Sequence, residues 1–186
     1  MTDNRILFLA SNFRKKIEQA QRKGLFINTS LAKFPFQCCG NASTLLAEFL
    51  MQSGVESLWI SSENPDTYET HAWLVVKDNR VKFPHHCFDD VSDNIKNLLN
   101  KYAGESSLNR SEPTRYDKQD IENGLIIDIT GDQFNEPPVY VGYMNGFYKQ
   151  FDFLAAYEHE SLLDGELIKL YNIILSQNSI NKIDLA

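Results

Sequence analysis

The sequence predicts an α+β fold with an antiparallel sheet, and two observations carry that expectation. Two stretches with helical spacing of apolar residues fill the first third of the chain, and another closes it. Between them lie short runs rich in Val, Ile, Trp and Tyr, bounded by Asn, Asp, Gly and Pro, which is the punctuation of strands joined by turns rather than of alternating β-α units.

The elements follow in order. In residues 3–22, Ile6, Leu9, Ala10, Phe13, Ile17 and Ala20 recur at three- and four-residue steps. Arg14, Lys15, Lys16 and Glu18 stand between them, so an amphipathic helix with an outward charged face is expected, ended by Gly24. After the turn-like Lys33-Phe34-Pro35-Phe36, the spacing of Ala42, Leu45, Leu46, Phe49 and Leu50 predicts a core helix over 40–53, stopped by Gly54. Strands are expected at 55–61, 71–77, 125–130 and 139–143. The long segment 78–123 reads as an insertion with a helix around 91–102, because a structureless loop of that length is unusual. Residues 153–157 and 162–176 read as helical, and 177–186 as a fraying end. The whole is expected to be one domain, 1–186.

Composition narrows the function. With 186 residues, of which 42% are hydrophobic and 23% charged, the chain can bury about 70% of its unfolded surface in one core. Its net charge of −7 argues against a phosphate-tracking surface, so nucleic acid is not an expected partner. No apolar run is long enough to span a bilayer, and the N-terminus lacks the pattern of a secretory leader. Three cysteines, Cys38, Cys39 and Cys87, are odd in number and two are adjacent, which does not suit a disulfide framework. A reduced, cytoplasmic protein is the expectation.

Three residues sit awkwardly in their elements. The segment Gln37-Cys38-Cys39-Gly40-Asn41-Ala42-Ser43 puts a thiol, of Cys38 or Cys39, at the entrance of the second helix, where unpaired N–H groups and the helix dipole favour a thiolate, although a free cysteine is more often plain core packing. His71 opens a strand in which Trp73 and Val75 share its face, placing a group with an ordinary pKa near 6.5 beside a large aromatic that can wall a pocket. Asp128 lies between Ile127 and Ile129, where a carboxylate is costly unless paired, and an imidazole N–H is a natural partner. The alternative for Asp128 is an outward cap of the following turn. Taken together the three supply a nucleophile, its base and the group that orients the base.

In the segment 34–55, in His71-Ala72-Trp73 and in Ile127-Asp128-Ile129-Thr130 the chain resembles the transglutaminase-like branch of the papain-like cysteine enzymes. Ser43 falls four residues after Cys39 and Gly54 fifteen after it, the register that this branch shows with its nucleophile. The likeness extends to a group of uncharacterised bacterial proteins with Cys-Gly-Asp-Ala-Ser and Asp-x-Thr-x-x-Gln-Phe motifs. Here these read Cys39-Gly40-Asn41-Ala42-Ser43 and Asp128-Ile129-Thr130-Gly131-Asp132-Gln133-Phe134, with Asn41 in place of the Asp. The 57 residues from His71 to Asp128 also exceed the short hairpin usual in the branch. The resemblance implies a papain-like fold, with the nucleophile helix packed on the sheet, and a Cys39-His71-Asp128 triad.

Further residues are weighed beside the triad. The Gln37 side chain can assist the Cys39 N–H in polarising an oxyanion, or simply face solvent. Gln133 either lines the pocket or stabilises a turn. Ser43 is expected to leave room above the sulfur, and Gly40 to admit a substrate backbone. Cys38 is expected to pack against the Phe34-Pro35-Phe36 turn. His85, His86, Cys87, Asp89 and Asp90 are metal-ligand types, but adjacent histidines diverge and no second half follows, so no metal site is expected. The expected function is a cysteine-dependent hydrolase or acyltransferase (a protease, amidase or transglutaminase-like enzyme) forming a thioester with a peptide, protein or small amide substrate. It needs no metal or organic cofactor. The alternative is a catalytically silent fold that binds a protein partner, told apart by whether Cys39 alkylates well below pH 8. Oligomeric state is not legible.

Overall fold

Helix α1 (Asp3–Arg22) buries Ile6, Ala10, Phe13, Ile17 and Ala20 in one stripe, as the spacing requires, in a computed structural model that describes residues 3–76, 121–158, 163 and 165–177. Its charged face departs from expectation: Arg14 and Lys16 are themselves buried. Lys16 Nζ donates to the carbonyls of Leu175 and Gln177, and so caps the end of helix α3 (Gly165–Leu175). Helix α2 (Cys39–Gln52) buries Ala42, Ser43, Leu45, Leu46, Ala47 and Leu50. Gly54 ends it at φ +78, a conformation that favours glycine, while the Val55 N–H reaches the Leu50 carbonyl.

Five strands, β1 (Ser57–Glu63), β2 (Thr70–Val76), β3 (Leu125–Asp128), β4 (Tyr140–Gly142) and β5 (Asp152–Glu158), form one antiparallel sheet in the order β4-β3-β2-β1-β5. The described part of the chain is therefore α+β. Residues 153–157 belong to β5 and not to a helix: pairing with β1, with a bulge at Ser61/Ser62, overrides the helix-favouring Leu154-Ala155-Ala156. Strand β3 ends at Asp128, two residues short of expectation, because the Asp128 carboxylate takes the Thr130 N–H and turns the chain. The turn continues as a 3-10 helix, Gly131–Phe134.

Both faces of the sheet are covered, which is why β3 reads as an unbroken apolar run up to Asp128. On one face Leu74, Leu125 and Ile127 pack with the three helices. On the other, Leu58, Ile60, Trp73, Val75 and Ile126 pack with Tyr148, Phe151 and Ile121. Among the described residues no helix is long and apolar enough to cross a membrane. The expected helix at 91–102, the metal-ligand types at 85–90 and most of the 78–123 insertion lie outside the described residues, as does 178–186.

Candidate active site

Cys39 is the first residue of α2, and the hydroxyl of Ser43, one turn on, donates to the Ala72 carbonyl at 3.1 Å. That bond pins the start of the helix to β2 beside His71. Ser43 is thus a buried tether, and the expected free space above the sulfur is not its contribution. Gly40 is also committed inward: its carbonyl accepts Trp59 Nε1 at 3.3 Å, and the Trp59 ring would lie 3.7 Å from an added Cβ.

His71 and Asp128 form a fully buried pair, Nε2 to Oδ2 at 2.8 Å. The carboxylate only accepts, so Nε2 carries the hydrogen, and in the neutral ring Nδ1 is left as the base. Nδ1 is buried and has no aligned hydrogen bond among the described residues. Cys39 is among the groups that act on the His71 ring. Burial works against the charged ring, yet Asp128 and Cys39 outweigh it and raise the His71 pKa to about 9.

The pair is held on every side. The Asp128 Oδ1 accepts the Thr130 N–H at 2.8 Å and its hydroxyl at 3.0 Å, while Tyr148 donates to Oδ2 at 3.1 Å. Ser62, opposite His71 in the β1–β2 ladder, donates its hydroxyl to the His71 carbonyl at 2.9 Å. The imidazole itself is boxed by Trp73, Phe134, Phe147 and Phe151, with ring centroids 5.4, 4.8, 6.0 and 5.8 Å away.

Beside this group opens a cavity of about 490 Å³ lined by Lys33, Phe36, Gln37, Glu69, Gln133 and Phe134. Cys39 and His71 are not in its lining; Phe134 touches both the cavity and the imidazole. Gln37, two residues before Cys39, is exposed on the cavity wall with φ +58, a left-handed conformation that costs a non-glycine residue roughly 1–2 kcal/mol. Strain of this kind is characteristic of functional segments. Gln133 does both things considered for it, lining the cavity while its Nε2 donates to the Thr130 carbonyl at 3.1 Å. Trp73, expected to wall the pocket, is instead fully buried beneath His71 and lines no part of the cavity.

The two thiols differ. Cys38 is buried in the helical core with Phe34, and burial, reinforced by a neighbouring charge at Cys39, pushes its pKa up to about 12 against the opposing pull of Arg14. Cys39 is partly exposed.

Arg14, Thr130, Phe134, Ser62 and Tyr148 join the site without a distinct signal of their own in the sequence. Thr130 and Phe134 are marked only by falling within the Asp128–Phe134 motif. Arg14 reads as an ordinary charged residue of α1, and Tyr148 is one of several aromatic residues between 140 and 153, with nothing in spacing to mark it. No protein-family model matches this chain, and neither does any curated protein or solved structure.

Proposed function

We propose that this chain is a cysteine-dependent hydrolase or acyltransferase of the papain-like, transglutaminase-like kind, working through Cys39, His71 and Asp128. The observation that carries the reading is the buried His71–Asp128 pair: with Nε2 donating to the carboxylate, the neutral ring keeps Nδ1 as its basic nitrogen, and Cys39 is among the groups that act on that ring. In the reacting form the thiol proton sits on Nδ1, giving the imidazolium that Asp128 favours, and the thiolate sulfur attacks the carbonyl carbon of an amide or ester, moving the π electrons onto oxygen. The free N–H groups at the start of α2 and the Gln37 amide are the donors available to that oxygen. Collapse of the tetrahedral species breaks the bond to the leaving amine or alcohol, which receives the proton from Nδ1. Water or an amine then attacks the thioester, giving its own proton to Nδ1, and the thiol is restored. Asp128 keeps the ring in one orientation and stabilises the imidazolium throughout.

The test uses an activated ester of a short acyl-peptide, with intact-mass and peptide-mapping readouts. The expected result is one acyl group on Cys39, multiple turnovers, and a loss of about 10²–10⁴ in rate for His71→Ala. Faster turnover with an added primary amine marks an acyltransferase, and unchanged turnover a hydrolase. Acylation of Cys39 at the same rate with and without His71 refutes the reading and leaves the fold as a binding scaffold.

A further inference from the structure

The two oxygens of Asp128 are served differently. Both donors to Oδ1 come from Thr130, in the turn that Asp128 itself begins. The donors to Oδ2 come from elsewhere: His71 Nε2 from β2 at 2.8 Å, and the Tyr148 phenol at 3.1 Å from the 3-10 helix Tyr148–Gln150 on the aromatic face of the sheet. One oxygen is therefore shared between the imidazole and a phenol. A second donor on that oxygen limits how far the carboxylate can swing, and it draws off part of the negative charge that His71 would otherwise meet alone.

We propose that Tyr148 is a positioning residue for His71, acting through Asp128: it fixes Oδ2 in place and moderates how tightly that oxygen holds the imidazolium proton. The inference rests on His71 being the base for Cys39. An imidazole that must both take and give back a proton near neutrality is hindered by a partner that grips it too hard. A phenol sharing the acceptor keeps the orienting bond and loosens the grip.

The surroundings of Tyr148 suit that task. The residue is 1% exposed, and Asp128 accepts the hydrogen bond its hydroxyl donates. Its ring is locked between Trp73, Tyr140 and Phe147, with centroids 5.1, 5.2 and 4.9 Å away. The Asn145 side chain accepts the N–H groups of Phe147 and Tyr148 and seats the turn. The titratable groups that bear on the phenol are Asp128 from β3, Tyr140 from β4 and Glu136 from the turn before it. Burial first, and then these groups, hold its ionisation far above the ordinary tyrosine range, so the hydroxyl remains a donor at any pH the protein meets. The groups that bear on His71 are Asp128 and, from α2, Cys39.

The test is the titration of His71 by NMR in chains carrying [13Cε1]histidine, its resonance assigned by its absence from His71→Gln. Tyr148→Phe removes the second donor, and the His71 midpoint is expected to rise by about half a unit or more. Placing 3-fluorotyrosine at 148 strengthens the donor without changing the packing, and the midpoint is expected to fall. Opposite shifts support the inference; no shift, or shifts of the same sign, overturn it, because packing alone gives no such pair. Should Tyr148→Phe fail to fold, the fluorotyrosine chain decides: a fall supports the inference, and no change or a rise refutes it. Acylation of Cys39 is measured separately, so a chain whose His71 answers to Tyr148 but whose Cys39 takes no acyl group refutes the proposed function and leaves this inference standing.

Discussion

Adjacent thiols with different fates show how far one residue step changes chemistry. Cys38 is 3% exposed with its thiol pushed up to about 12, so at pH 7 only about one molecule in 10⁵ carries its thiolate. Cys39 begins the helix, is partly exposed and has His71 beside it. Brief treatment with iodoacetamide at pH 7 is therefore expected to modify Cys39 and spare Cys38, and His71→Ala to slow the reaction at Cys39 at least tenfold. Tryptic mapping of the adduct reads both outcomes, and labelling of Cys38 first contradicts the assignment. At this scale the His71–Asp128 pairing was legible for a physical reason: a carboxylate between two isoleucines in a strand needs a partner, and an imidazole N–H supplies one. For Trp73 strand alternation gives a face but not a depth, and burial decides for core packing over a pocket wall. It shares the face of His71, yet lies beneath it and away from the cavity.

Among the elements, the turn after β3 depends on a side chain from the first helix, distant in sequence but packed against it. Arg14 of α1 donates to the Ile129 carbonyl at 2.6 Å, the Pro138 carbonyl at 2.8 Å and both oxygens of Asp132 at 2.9 and 2.7 Å, and also pairs with Glu18. The guanidinium lies 5.0 Å from the centre of the Phe34 ring. One buried cation thereby fastens both ends of the loop that carries Thr130, Gln133 and Phe134. Arg14→Leu is expected to destabilise the chain by about 2–4 kcal/mol in urea unfolding, and Arg14→Lys to recover less than half of that, since an ammonium cannot reproduce the planar fork. Helical spacing located α1 and α2 because their apolar stripes face the core directly. It could not reveal Arg14, which sits beside the stripe and looks like any solvated charge. Strand β5 was misread for a related reason: Phe153-Leu154-Ala155-Ala156 has no alternation, and its conformation is set by β1, far away in sequence.

For the molecule as a whole, the His71 pair links stability to pH. His71 binds its proton more tightly in the folded chain, with a pKa of about 9, than in the unfolded chain, near 6.5. The stabilisation from this group is complete below about pH 6.5 and is lost as pH rises through about 9. The urea midpoint is therefore expected to fall between pH 6.5 and 9, and His71→Gln to flatten that fall relative to the parent chain. An equal slope in both shows that the charge on His71 does not contribute to folding.

The arrangement of the sheet also governs when the site exists. Glu63 of β1 lies opposite Asp152 of β5, and Cys39, His71 and Asp128 come from three separate elements. A chain still being synthesised exposes its thiol long before the carboxylate and the phenol have left the ribosome. Contacts this distant in sequence close late and slowly. Cys39 therefore gains His71 and Asp128 as neighbours only after the strands that carry them have been made and paired.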